Sequence, residues 1–324
     1  MIPTRGCRMS PISNYKCLVC VAVVCVVFTE SIEAQTTRPI IGILSQKSYD
    51  QLAKYGPSYI AASYVKFLES GGARAVLIPV NQTNDYYTNL FNSINGILFP
   101  GGTQYVDDSS YGTAGQILYN LAIKANDGGD FFPLWGTCLG HELLTYVTAG
   151  KNLLANTNAH DVLYPVHFTK DFRSSRLFRL MPDKMVNILA NQNITYNHHR
   201  FGLTPQNYTK NEKLRNFYQI ISTSKDEDGL EFISIMEAYK YPFYGVQWHP
   251  EKNNFEWMRT QNVNHSEDAV LISEYLANFF VEEARKSSHK FSSTAEELAA
   301  LSYSYTPIYT GKNTNFQQCY FLSD

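Results

Sequence analysis

From Arg38 onward, short apolar runs alternate with stretches of helical period. Residues 39–44 (Pro-Ile-Ile-Gly-Ile-Leu) are continuously apolar, as expected of a strand covered on both faces. Over 59–70, Ala61, Tyr64, Val65 and Leu68 fall at i, i+3, i+4, i+7 and Gly71-Gly72 follows, predicting a helix and its stop. Residues 75–78 and 96–99 read as the second and third strands, with a short helix over 85–93 between them. A further helix is expected over 113–125 and a strand over 131–135. Strand and helix in this rhythm predict an α/β fold, a mostly parallel central sheet flanked by helices.

The second half reads as more β-rich. Residues 218–223 and 231–236 flank Asp228-Gly229, a pair favoured in tight turns, and predict an additional hairpin. Residues 243–248 form a strand that ends at His249-Pro250. A long helix is expected over 266–285, with Glu267 and Asp268 in its first turn and Ala269, Ile272, Leu276, Phe279 and Phe280 as its buried stripe. Beyond Ser287 the chain keeps Tyr303, Tyr305, Tyr309, Phe316, Tyr320 and Phe321. That is too aromatic for a free tail, so the C-terminal tail is expected to pack back on the domain. No internal repeat or linker divides 35–324, which reads as a single domain.

The first 34 residues have a different character. Arg5, Arg8 and Lys16 precede the apolar run 17–28, and small residues around Ala34 follow. A run of this length suits a signal peptide and is short for a bilayer span, so 1–34 is expected to be removed, leaving no membrane anchor. A retained anchor is the alternative. Four Asn-x-Ser/Thr sequons, at Asn81, Asn193, Asn207 and Asn264, agree with secretory passage and glycosylation. Four of the six cysteines (Cys7, Cys17, Cys20, Cys25) leave with the signal, so Cys138 and Cys319 remain, and a disulfide between them is one option. With 44% hydrophobic and 17% charged residues over 324 positions, the chain is globular. Its net charge of −2 without basic clusters excludes a nucleic-acid footprint.

Three segments carry candidate chemistry. Gly136-Thr-Cys138-Leu-Gly140 follows an apolar strand and opens a helical pattern. Glycines allow a sharp turn that projects a nucleophile, and a helix N-terminus favours the thiolate. Packing filler is the alternative reading of such a cysteine. His249, just past a strand end, can take the thiol proton and later protonate a leaving amine, with Glu251 fixing its tautomer. Gly101 and Gly102, at the end of the third strand, can offer bare N–H groups to an oxyanion beside the N–H of Leu139. No metal is expected: His249-Pro-Glu251 lacks the downstream P-C-x-x-C of zinc deaminases. Without a P-loop or G-x-G-x-x-G after the first strand, no cofactor is expected either.

These pieces in this order resemble the class I glutamine amidotransferase-like hydrolases. Segments 38–44, 59–66, 93–102, 135–140, 241–252 and 303–320 make the chain similar to the γ-glutamyl hydrolase family over essentially its whole mature length. The resemblance implies hydrolysis of folylpoly-γ-glutamates and antifolate polyglutamates through a γ-glutamyl thioester on Cys138, with His249 as base and acid. It also implies a lysosomal and secreted location and a homodimer. His199 matches a family histidine near the substrate, with His198 beside it. The α-carboxylates of a polyglutamate tail call for cations, and Arg200 and Lys252 stand nearest the motifs. Two other readings remain. One is a glutaminase passing ammonia to a synthetase, which secretion disfavours; the other is a non-catalytic binding protein on the same fold.

Overall fold

The computed structural model describes residue 1, residues 35–312 and residues 314–323. The expected signal peptide, apart from Met1, lies outside the described residues. The apolar run becomes β1 (Ile40–Leu44), buried at every position. The chain continues through β2 (Gln46–Lys47), β3 (Ser58–Ala61), α1 (Ala62–Ser70), β4 (Arg74–Ile78), α2 (Asn84–Phe91), β5 (Gly96–Phe99) and α3 (Ser110–Asp127). Next come β6 (Leu134–Thr137), α4 (Leu139–Ala149), β7 (Ala155–Tyr164), β8 (His167–Phe168), α5 (Asp183–Asn191) and β9 (Thr195–Gly202). The remainder is α6 (Pro205–Lys210), α7 (Glu212–Phe217), β10 (Tyr218–Lys225), β11 (Glu231–Ala238), β12 (Phe243–Val246), α8 (Pro250–Phe255), α9 (Glu267–Arg285), α10 (Thr294–Ala300), β13 (Ile308–Tyr309) and β14 (Gln318–Leu322).

Eight strands form the central sheet in the order β4-β1-β5-β6-β12-β11-β10-β8. From β4 to β12 the pairings are parallel; β11, β10 and β8 extend the sheet antiparallel. The expected α/β architecture is therefore found, and the hairpin at Asp228-Gly229 joins β10 to β11 with Gly229 at φ 81°. Alternate residues of β1 serve two cores. Ile41 and Ile43 pack with Phe67, Trp135 and Phe280 under α1 and α9, whereas Ile40 and Leu44 join Phe99, Leu118 and Leu143 under α3 and α4. Each such large side chain contributes roughly 1.5–3 kcal/mol by leaving water. Ser266 caps α9 by accepting from the Ala269 N–H at 3.3 Å.

Three expectations change. The helix over 59–70 starts only at Ala62; Ser58–Ala61 is β3, paired antiparallel with β14, Tyr59 opposite Phe321. The helical spacing of Ala61 with Tyr64 was coincidental, because a strand buried throughout shows no face for periodicity to report. The strand expected over 131–135 runs instead as Leu134–Thr137, and the 113–125 helix extends to Ser110–Asp127. The tail packs back as expected, through β13–β14–β3 and an isolated bridge from Val76 to Leu301. Cys319 on β14 is buried and free, so the Cys138–Cys319 disulfide does not form. Of the four sequons, Asn81 and Asn193 are exposed, while Asn207 donates Nδ2 to the Leu153 carbonyl and Asn264 donates Nδ2 to that of Asn193.

Candidate active site

The nucleophile candidate sits in the one-residue joint between β6 and α4. Cys138 has φ 51° and ψ −107°, a conformation that L-residues rarely hold. Two bonds over-determine it: its N–H donates to the Val246 carbonyl at 2.8 Å, and its carbonyl accepts from the Glu142 N–H at 3.0 Å. The flanking glycines are required by close approach. A Cβ on Gly136 would lie 2.5 Å from the Gly140 oxygen, and one on Gly140 would lie 2.0 Å from that of Phe99. Backbone packs where side chains would otherwise be, and the thiol is turned towards a cavity.

The base comes from the end of the neighbouring parallel strand. His249 precedes Pro250 at the start of α8, and its N–H donates to the Tyr196 carbonyl at 2.9 Å. Its Nδ1 lies 2.7 Å from Oε1 of Glu251, leaving Nε2 for chemistry. Gly101 separates base and nucleophile. A Cβ there would meet His249 Cε1 at 2.6 Å and Cys138 Cβ at 3.1 Å. Glycine at this position thus lets imidazole and thiol approach from either side of one backbone.

The loop after β5 corrects one assignment. The Gly101 N–H, expected to serve an oxyanion, donates instead to the Tyr64 hydroxyl at 2.8 Å. That hydroxyl is also 3.4 Å from His249 Nδ1. Gly102 and Leu139 do line the cavity with Cys138, and among the described residues the Gly102 N–H has no hydrogen-bond partner. Gln46 shapes this loop, donating Nε2 to the Gly101 carbonyl at 2.8 Å and accepting from the Thr103 N–H at 3.3 Å.

Burial sets the electrostatics. It pushes the Cys138 thiol well above its usual range, and Glu142 and Glu251 add to the rise; the Leu139 N–H and Lys252 oppose it. The Leu139 N–H at the head of α4 favours the thiolate, but burial is the larger influence and raises the thiol. Burial lowers His249, against the pull of Glu251, so the imidazole is neutral and able to accept a proton.

The cavity of about 240 Å³ beside Cys138 is walled by Gly102, Leu139, Glu142, His198, His199 and Arg200, among others. His198 and His199 are successive residues of β9, lying opposite His160 and Ala159 of β7. Burial lowers both histidines, to about 4 and about 3 respectively. His199 is also tied back, with Nδ1 donating to the Phe201 carbonyl at 2.9 Å. Arg200 is exposed on the rim. Lys252 departs from expectation: it is only 3% exposed and is absent from the described cavity wall, because its ammonium lies over the rings of Tyr196 and Phe316. Among the described residues, no group of three or more His, Cys, Asp or Glu side chains could hold a metal ion.

The peptidase C26 family matches residues 39–251, a span that contains Cys138, His249 and Glu251. Human (Homo sapiens) γ-glutamyl hydrolase is 47% identical over 313 residues, covering 94% of this chain and 98% of that protein. The chain belongs to the γ-glutamyl hydrolase family. The rat (Rattus norvegicus) γ-glutamyl hydrolase is 46% identical, over 90% of this chain and 92% of its own. γ-Glutamyl hydrolase B of Dictyostelium discoideum is 39% identical, over 88% and 83%.

In this member of the γ-glutamyl hydrolase family, two residues around the site escape sequence reasoning. Tyr64 reads as one more apolar position of α1, yet its hydroxyl reaches both His249 and Gly101. Glu142 is buried on the first turn of α4, lines the cavity, and accepts from Gln247 Nε2 at 3.1 Å. Burial raises its carboxyl to about 8. The available signal was its spacing: a carboxylate one helical turn after Cys138 must face the same side.

Proposed function

We propose that this chain is a cysteine peptidase that hydrolyses γ-glutamyl bonds of folylpoly-γ-glutamates, and of antifolate polyglutamates, by way of a γ-glutamyl thioester. The observation that carries the reading is the strained Cys138 turn set across Gly101 from the His249–Glu251 pair. Nε2 of His249 takes the thiol proton as sulfur attacks the γ-carbonyl carbon. The tetrahedral oxyanion is received by the N–H groups of Gly102 and Leu139. Collapse expels the amine of the departing glutamate, which takes the proton from His249, and leaves the thioester. Water, deprotonated by the same imidazole, then releases the free γ-carboxylate and restores the thiol.

Glu251 holds the imidazole with Nε2 towards the reaction and stabilises the imidazolium that forms. Arg200 at the cavity wall faces the α-carboxylates of the substrate. Residues 1–34 act as a signal peptide; the mature chain, 35–324, is a secreted and lysosomal glycoprotein that functions as a homodimer, without cofactor. The composition of 1–34, the four sequons and the family support this placement. Among the described residues, no helix is long and apolar enough to cross a membrane.

Mass analysis of the products from a folate pentaglutamate tests the reading. Wild type should release glutamate or an oligo-γ-glutamate, and Cys138→Ala should release neither. Ammonia from free glutamine as the main product would instead identify a glutaminase.

A further inference from the structure

Asp161, Tyr196 and His198 form a chain of hydrogen bonds that ends at the cavity wall and that the reaction above does not use. Asp161 is a non-glycine residue at φ 58°, where the β7–β9 pairing shifts register between His160 and Val162. Such a bulge re-aims a side chain at a cost in backbone strain. Its Oδ1 accepts from the Tyr196 hydroxyl and from the Asn262 N–H, both at 2.8 Å. A tyrosine hydroxyl has a single proton, here committed to Asp161. Towards His198 it therefore acts as the acceptor, and the 3.3 Å contact between them places a proton on Nδ1. The Tyr196 and His198 rings lie 15° from parallel with centroids 6.2 Å apart, so the two residues share one face of β9. His160, opposite His198 on β7, meets the ring edge to face at 4.8 Å.

This order of donors fixes the tautomer of His198. Nδ1 carries the proton and Nε2 keeps its lone pair; among the described residues Nε2 has no hydrogen-bond partner. The side chain lines the same cavity as Cys138. Burial, followed by Lys252, His249 and His160, lowers it to about 4 against the pull of Asp161, so the ring is neutral and Nε2 is an acceptor. Arg200 lies two residues further along the strand and lines the cavity too, so an acceptor and a cation stand on one face of β9. A γ-linked glutamate carries its amide N–H and its α-carboxylate on the same carbon. We propose that His198 is a substrate-binding residue whose Nε2 accepts the amide N–H of a γ-linked glutamate while Arg200 takes the α-carboxylate, with Tyr196 and Asp161 as positioning residues. A cation alone would bind any carboxylate; the acceptor beside it adds recognition of the peptide nitrogen. The inference deepens the polyglutamate reading and rests on it for the identity of the ligand.

The test is calorimetric binding to the full chain carrying Cys138→Ala, which holds ligand without turning it over. The ligands are a folate pentaglutamate and an analogue whose γ-link N–H groups are replaced by ester oxygens. This parent should bind the analogue about threefold to tenfold more weakly than the pentaglutamate. Adding His198→Phe should weaken the pentaglutamate by a similar factor with no further loss for the analogue, the coupling expected of two partners in one contact. His198→Gln, whose amide oxygen can stand where Nε2 does, should bring the pentaglutamate back to within about twofold of the parent. Tyr196→Phe keeps the ring but removes the hydroxyl that holds the Nδ1 proton, and should shrink the gap between the two ligands. A merely structural histidine would weaken both ligands alike in His198→Phe, without rescue by glutamine, and that result overturns the proposal. So does an analogue that the parent binds as well as the pentaglutamate. If His198→Phe does not fold, the gap decides alone: kept in His198→Gln and reduced in Tyr196→Phe supports the proposal, and unchanged in Tyr196→Phe overturns it. Binding without coupling overturns this proposal only, whereas no binding of either ligand by the parent overturns the polyglutamate reading and this proposal with it.

Discussion

At the scale of single residues, the site is built by forcing reactive groups into places they would not choose. Cys138 is held at a positive φ by backbone bonds, and its thiol is desolvated enough to stay protonated. A protonated thiol makes the base indispensable. Cys138→Ala should therefore lower kcat/KM by about a thousandfold or more with the fold intact, read by glutamate release and circular dichroism. Glu251→Gln leaves the geometry but removes the charge that orients His249, and should lower kcat by roughly 10²–10⁴. Glu142 makes a separate prediction. Burial raises it to about 8 from an ordinary value of 4.5, so between those pH values the folded state holds a proton that the unfolded chain has released. Stability is full below the unfolded value and falls as pH rises through that window. Denaturant midpoints at pH 5 and pH 8 should show this fall in wild type and a flatter profile in Glu142→Gln; parallel profiles would contradict it.

At the scale of elements, the nucleophile turn depends on how closely β5, β6 and α4 meet. Gly140→Ala would place a methyl 2.0 Å from the Phe99 carbonyl oxygen. Moving two backbones apart at the centre of a sheet should cost more than about 2 kcal/mol and abolish activity, measurable by chemical denaturation and assay. The parallel strands were legible because burial on both faces leaves runs with no polar interruption, as in β1 and β5. Cys138, His249 and Glu251 were legible because each lies within two residues of a glycine or proline that marks a strand end. Other elements were not. Residues 58–61 pair with residues 319–322, so the information that makes them a strand lies far along the chain. β7 is polar and only partly buried along most of its length, β9 is mostly buried despite its polar residues, and their pairing has register shifts, so neither shows a clean apolar–polar alternation. Those strands bring His160, His198 and His199 to the cavity; the family resemblance named His199 with His198 beside it, whereas His160 had no signal in the sequence.

At the scale of the whole molecule, the sheet gathers the site at the carboxyl ends of β5, β6 and β12, where parallel strands open a crevice. The β7–β9 pair adds His160, His198, His199, Arg200 and Phe201 to its wall. What the tail does was legible only as aromatic content; its contacts with Lys252 and Glu256 depend on tertiary placement. Secretory passage belongs to this scale too. Expressed in a secretory host, the chain should appear in the medium lacking residues 1–34, and a glycosidase should lower its apparent mass. Asn81→Gln and Asn193→Gln should each remove one glycan increment, since both positions are exposed. Retention of residues 1–34 in the secreted protein would contradict the placement.

The central claim is covalent: the substrate's γ-carbonyl passes through sulfur of Cys138. Acid quenching of wild type during turnover of a folate pentaglutamate, followed by peptide mass analysis, reads this directly. The account predicts an acyl adduct on the peptide containing Cys138, released by hydroxylamine and absent from Cys138→Ala. Steady turnover with no adduct at any time, or an adduct on another residue, would contradict it.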